Sequence, residues 1–323
     1  MPHVEAEPRA PGPSSARFIT ISACDAQPLA ATCFEPLDGP VLANVLFLPG
    51  IGVPRRAFRW LGEWLAGRGI RSLCFDYRGM GDSLSGGALE SASLSVWARR
   101  DAPAALAYVR EHFDDDPVLV AHSFGGQALG LSSELHRVRG AILVGSQLGH
   151  VQHWHGLDRV RVELLWRALL PLSSLVWDPI PKCVVGEALP AGVAREWASW
   201  GRSPDWFFSH VPDARARFAA FGAPLVSYGA WDDPIAPPSS VEALLACFTG
   251  TRAERVAIGP GELPAPRVGH FGLLRPVPGA SVWPQFRRFV LECYGAEEHQ
   301  GGGKEQVVKS ASQATPGEYS TAS

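Results

Sequence analysis

Cysteine pairs, an excess of charge and long apolar runs are all missing from this chain. Its six cysteines, Cys24, Cys33, Cys74, Cys183, Cys247 and Cys293, are scattered, and no Cys-x-x-Cys occurs. That spacing argues against a zinc ribbon or a disulfide framework and predicts buried free thiols. A net charge of −3 gives no electrostatic basis for a nucleic-acid partner or an anionic membrane surface. The stretch Met1 to Ala16 is rich in proline and acidic residues and lacks the apolar segment of a secretory signal. No apolar run approaches the length of a membrane span. Gly79-Met80-Gly81 lacks the third glycine and the helix of a dinucleotide loop. His150, His153 and His155 stand close together, but no carboxylate or cysteine sits at ligand spacing beside them, so no metal is expected. These absences predict a cytoplasmic protein with no cofactor and no integral membrane segment, and leave self-association open.

What the chain does contain is enough apolar material for a large core: 323 residues, 46% of them hydrophobic. Residues 1–15 read as a disordered arm and 296–323 as a disordered tail. Between them, Arg17–Ala23 and Leu29–Phe34 read as a hairpin. Short apolar strands at Val41–Leu48, Arg71–Phe75, Pro117–Ala121 and Ala141–Val144 then alternate with helical patterns. One helix carries Phe58, Leu61 and Leu65 at its core face. Another runs from Ser93 to Phe113, with Pro103 marking a kink or its true start. The rhythm resumes with strands at Pro224–Tyr228 and Arg255–Ile258, and a last helix from Val282 to Tyr294. Strands that are apolar throughout and alternate with helices predict an α/β fold whose parallel sheet is covered on both faces. Ligand chemistry in such a sheet gathers at the carboxyl ends of its strands. The core is expected to comprise 16–146 and 222–295.

From 147 to 221 the strand rhythm stops. This stretch holds Trp154, Trp166, Trp177, Trp197, Trp200 and Trp206, six of the eleven tryptophans. It reads as a helical insertion with an aromatic core, and as a cap that roofs an apolar pocket. Trp154, Trp197, Trp200, Trp231 and Phe271 are the expected pocket residues.

The chain turns most sharply at Ala121-His122-Ser123-Phe124-Gly125-Gly126. An apolar strand enters and a helical pattern leaves, so Ser123 sits at a corner with its hydroxyl projecting from the fold. The pattern is that of a nucleophile elbow, with Ala121 where glycine is usual. The alternative is a serine that merely caps the helix. A serine hydroxyl needs a base, and the base needs a third group to orient it. Gly229-Ala230-Trp231-Asp232-Asp233-Pro234 offers carboxylates at a strand's end. Asp233 is the expected acid and Asp232 the alternative; either could instead form a structural turn. Val268-Gly269-His270-Phe271-Gly272 then places a histidine between glycines. An oxyanion would be held by the N–H of Phe124 and that of Ile51, with Gly52 in reserve.

The order Ser123, Asp233, His270 is that of the α/β-hydrolases. With Leu48-Pro49-Gly50, Asp76-Tyr77-Arg78-Gly79-Met80-Gly81-Asp82-Ser83, Leu189-Pro190-Ala191-Gly192-Val193 and Gly269-His270-Phe271-Gly272-Leu273-Leu274-Arg275, the chain resembles the serine α/β-hydrolases. The likeness is to the serine-aminopeptidase and monoacylglycerol-lipase-like group, over residues 17–294. The resemblance implies the α/β-hydrolase fold, a mostly parallel eight-stranded sheet with an inserted helical cap. It also implies a triad of Ser123, Asp233 and His270 that cleaves an ester of a small-molecule acyl substrate. Pro49 stands where the family more often has histidine. An acyltransferase would use the same triad with another acceptor. A ligand-binding protein on the same fold is the reading left open by Ala121 and Pro49. Asp76 and Arg78 are expected to play a structural role, holding with the glycines a tight loop beside the site, and His122 to pack or bond beside the elbow.

Overall fold

The computed structural model describes residues 14–85, 87–259 and 261–295. The arm and tail expected to be disordered lie largely outside these. Positions 14 and 15, assigned to the arm, instead open the first strand. Eight strands form one sheet: β1 (Ser14–Ser22), β2 (Pro28–Pro36), β3 (Ala43–Leu48), β4 (Ile70–Phe75), β5 (Val118–His122), β6 (Gly140–Val144), β7 (Leu225–Ala230) and β8 (Ala253–Ile258). Their spatial order is β1-β2-β4-β3-β5-β6-β7-β8. The β1–β2 and β2–β4 pairs are antiparallel and every later pair is parallel. The crossover between β3 and β5 puts β4 on one side of β3 and β5 on the other, so the chain reverses direction across the sheet beside β5.

The strands at the centre are apolar on both sides because both sides are covered. Every residue of β3, β5 and β6 is buried. On one face, α1 (Arg59–Ala66) packs Leu61 and Leu65 against β3 and β4, with Phe58 just before it. The last helices, α11 (Pro276–Gly279) and α12 (Trp283–Cys293), add Trp283 and Phe286 to the same layer. On the other face, α2 (Leu94–Val96), a π turn at Trp97–Asp101 and α3 (Ala102–Phe113) form one continuous helical run. Beside them lie α4 (Phe124–Leu131), α9 (Ala214–Ala220) and α10 (Pro238–Leu245). Pro103 sits in the first turn of α3, just after the π turn. A proline there lacks the N–H that would bond four residues back, and the wider turn takes up the misfit without breaking the run. β8, at the edge, is only partly covered.

The segment between β6 and β7 is helical, with α5 (Gly156–Leu164), a π turn at Leu165–Leu169, α6 (Leu170–Val176), α7 (Lys182–Val185) and α8 (Ala191–Arg202). Its extended pairing is limited to the bridge between Ile180 and Leu189. Among the described residues, no helix is long and apolar enough to cross a membrane.

One expectation needs correction. Of the six free cysteines, only Cys33 and Cys74 are buried, while Cys24 and Cys183 are exposed. Asp76 and Arg78 hold their loop structurally, each through its own partners. The Asp76 carboxylate takes the Arg55 backbone N–H at 2.6 Å, the Arg55 guanidinium and the Asp82 N–H. Arg78, almost fully buried, is clamped by Asp101 at 2.7 Å and Asp25 at 2.8 Å. Burial of Asp101 raises its pKa and outweighs the lowering by Arg78. Both loops thus depend on partners distant in sequence, which the local motif could not reveal.

Removing the Arg78 charge would strand the buried Asp101 carboxylate. Arg78→Met is expected to lower unfolding free energy by about 3–5 kcal/mol, with partial recovery in Arg78→Met/Asp101→Leu. Urea titration of both variants tests this, and equal stability of Arg78→Met and the parent chain would contradict it.

Candidate active site

Strand β5 hands over to α4 through Ser123, whose backbone is at φ 53°, ψ −115°. A non-glycine residue rarely adopts such a conformation, and here close packing surrounds it. A Cβ on Gly125 would lie 2.3 Å from the Leu48 carbonyl oxygen, and one on Gly126 would lie 2.4 Å from Ser146 Oγ. A Cβ on Gly50 would lie 2.9 Å from that of Ser123. These glycines let three chain segments converge on the serine. Ala121, buried in the sheet, pairs with Leu48 on one side and Leu143 on the other. Its methyl fits, so the position does not require glycine.

Past the end of β7, the two adjacent carboxylates divide the work. Asp233 Oδ1 accepts the N–H groups of Ile235 and Ala236 at 2.8 and 3.0 Å, and Oδ2 meets His270 Nδ1 at 2.7 Å. Asp232 faces another way and accepts the N–H groups of Val268 and Gly269 at 2.9 and 2.8 Å. It holds the backbone of the histidine loop, while Asp233 orients the ring. Both members of the Asp233–His270 pair are buried, at 4% and 8% exposure. With Nδ1 engaged by the carboxylate, Nε2 is left for a second partner.

His122 supplies a third anchor. Its Nε2 lies 2.9 Å from the His270 carbonyl oxygen. A carbonyl can only accept, so Nε2 carries the proton and Nδ1 does not. Burial, assisted by the neighbouring His270, pushes the His122 pKa down to about 3. The ring stays neutral and serves as a strut beside the elbow.

Ser123 and His270 line one cavity of about 990 Å³. Ile51, Gly52 and Phe124 line it too. Phe124 opens α4, where the first N–H groups have no partner within the helix. Among the described residues, neither Ile51 nor Gly52 has a partner for its N–H. The donor set expected for an oxyanion therefore surrounds the serine, with Ile51 and Gly52 both available. The Ser123 hydroxyl itself bonds no other side chain among the described residues.

The profile of the alpha/beta hydrolase family matches residues 45–285. The chain belongs to that family. None of the curated proteins matches it by sequence. Solved structures align over most of its length at low identity. An esterase from Exiguobacterium antarcticum shares 16% identity, covering 85% of this chain and 99% of its own, at a TM-score of 0.57. A thermophilic esterase from Thermogutta terrifontis shares 17%, covering 86% and 99%, at 0.53. A monoacylglycerol lipase from Paleococcus ferrophilus shares 16%, covering 82% and 99%, at 0.53. At such identities these likenesses speak for the fold of an alpha/beta hydrolase.

The wall of the hydrolase cavity differs in part from expectation. Trp154, Trp197 and Phe271 line it. Trp154 also donates its Nε1–H to the Pro234 carbonyl at 2.8 Å, tying the helical segment to the Asp233 loop. Trp200 does not line it. That ring is buried one layer behind, against Trp206 and Phe207. Trp231 is 64% exposed and turned to solvent. Their places are taken by Trp166 and Trp206, whose rings lie 5.7 Å apart. The tryptophan count pointed to this wall, but which indoles face inward depends on helix rotation. Among the described residues, no group of three His, Cys, Asp or Glu side chains could hold a metal ion.

His122 makes the fold sensitive to acid. Its ring binds a proton more weakly in the folded chain, at about 3, than its ordinary value of 6.5. Its contribution is complete above pH 6.5 and is lost as pH falls toward 3, by up to about 1.4 kcal/mol per pH unit. The stability advantage of the parent chain over His122→Gln should therefore shrink between pH 7 and pH 5 in urea melts. An advantage that stays constant with pH would contradict a neutral, buried ring.

Proposed function

We propose that this alpha/beta hydrolase is a serine esterase that cleaves an ester, or a related acyl bond, of a small apolar substrate. The observation that carries the reading is the buried Asp233–His270 pair opening onto the same cavity as a serine on a strained turn. His270 Nε2 takes the Ser123 proton as Oγ attacks the acyl carbon. Asp233 holds the ring in the tautomer that leaves Nε2 basic and stabilises the imidazolium that forms. The N–H groups of Phe124 and of Ile51 or Gly52 hold the tetrahedral oxyanion. His270 then protonates the leaving alcohol, and water releases the acid from Ser123 by the reverse sequence. Hydrogen bonds between nucleophile and base are often loose before substrate binds, so a free Ser123 hydroxyl is compatible with this role. That the similar structures include esterases and a monoacylglycerol lipase supports the same chemistry.

Residues 147–221 would act as the cap. Trp154, Trp166, Trp197 and Trp206 give the cavity an apolar aromatic side, suited to an acyl chain or an aromatic ring. Nothing in the geometry favours an alcohol over water as the acceptor.

Three measurements test the reading. With p-nitrophenyl esters, kcat/KM should rise from acetate to hexanoate by up to about fourfold per methylene, the value of one buried CH₂; a fall from acetate onward would contradict an apolar acyl site. Ser123→Ala should abolish the turnover. Asp233→Asn presents an NH₂ group to His270 and should cost roughly 10³–10⁴ in kcat. Asp232→Asn, which loosens only the loop backbone, should cost far less. The reverse ranking would reassign the acid.

A further inference from the structure

The roof of the cavity has an outer face that the proposed reaction does not use. α5, its π turn and α6, of nine, five and seven residues, form one helical rod on the order of 30 Å long. One side is committed. Val162, Leu165 and Trp166 line the cavity, and Leu170, Ser173 and Ser174 are buried beneath. The other side presents Leu157, Val160, Leu164, Leu169, Leu172 and Val176 to solvent, at 42–75% exposure. Their spacing is three, four, five, three and four residues. The step of five coincides with the π turn, whose wider coil takes up one extra residue. The turn thus keeps the apolar stripe in register along the whole rod. Leu175 and Trp177 extend it at the C-terminal end, with 79% and 45% exposed. An apolar stripe this long on a solvent-facing helix marks an interaction surface.

The charges beside the stripe indicate what covers it. Arg161 pairs with Asp158 at 2.7 Å, and Glu163 takes both Arg167 at 2.7 Å and Arg159 at 3.9 Å. Each arginine of the rod is paired within the rod, and the chain carries a net −3. An anionic lipid surface would draw on unpaired cations beside the stripe, and the rod offers none. A second copy requires none. Two antiparallel rods related by a twofold axis bring Leu164 of each beside Leu169 of the other, and Leu157 toward Val176. The stripe is self-complementary in that arrangement. Its exposed apolar area, on the order of several hundred Å², is comparable with the roughly 800 Å² per partner of a stable interface.

We propose that two copies of this chain associate through the outer stripe of this helix, packed antiparallel about a twofold axis. Analytical ultracentrifugation of the full chain at micromolar concentration is expected to give twice the chain mass of 34.7 kDa. Leu164→Arg/Leu172→Arg should sediment at the single-chain mass, with parent-like circular dichroism and undiminished p-nitrophenyl acetate turnover. The milder Leu157→Ser/Val176→Ser should weaken the dimer at least tenfold and serves if the charged variant misfolds. A parent chain that sediments at 34.7 kDa would overturn the proposal, as would a charged variant that remains dimeric. A monomeric parent that co-sediments with phosphatidylcholine–phosphatidylglycerol vesicles would also overturn it, assigning the stripe to lipid.

Discussion

Asp233 and His270 meet at 2.7 Å beneath the surface, at the carboxyl edge of the sheet. The rest of the site is arranged to keep that contact in place. A carboxylate buried this way needs hydrogen-bond donors on both oxygens. Asp233 has two backbone N–H groups on Oδ1 and the His270 ring on Oδ2. The histidine is held independently of the ring contact, by Asp232 on the two preceding N–H groups and by His122 on its carbonyl. Three side chains from two strand ends, β7 and β5, thus converge on the loop that carries His270. Backbone and ring of the histidine are anchored by separate groups.

The serine is held by exclusion. Gly125 and Gly126 allow α4 to start against Leu48 and Ser146. The positive-φ turn at Ser123 carries the chain from β5 into the helix at that depth. Strain of about 1–3 kcal/mol at such a residue is offset by the burial of α4, all of whose residues are inside. The same start leaves the Phe124 N–H free beside the serine. The proposed nucleophile and the proposed oxyanion donor are in this sense one structural feature.

Much of this could be read from the residue pattern, where the pattern was local. Unbroken apolar runs gave the central strands within a residue or two, because strands covered on both faces admit few polar side chains. Gly-rich turns around Ser123 and His270 marked the points where backbone comes close. Legibility ended where contacts were distant or rotational. Arg78 finds Asp25 and Asp101 rather than its near neighbour Asp76, and nothing in the motif names those partners. Trp200 and Trp206 are equivalent in sequence, yet one lies behind the cavity and the other on its wall. The stripe from Leu157 to Val176 has the spacing of a core face, with one irregular step. Only the π turn explains that step, and only the fold shows that the stripe points outward.

The helix that carries this stripe also carries Val162, Leu165 and Trp166 on the cavity side. The account as a whole rests on the reactivity of one hydroxyl, and a fluorophosphonate probe reads that reactivity whatever the natural substrate is. Peptide mapping of the labelled, folded chain should find a single adduct, on Ser123, that disappears when His270 is replaced by alanine. Labelling at any other residue, or a folded chain that takes no label, would contradict the account.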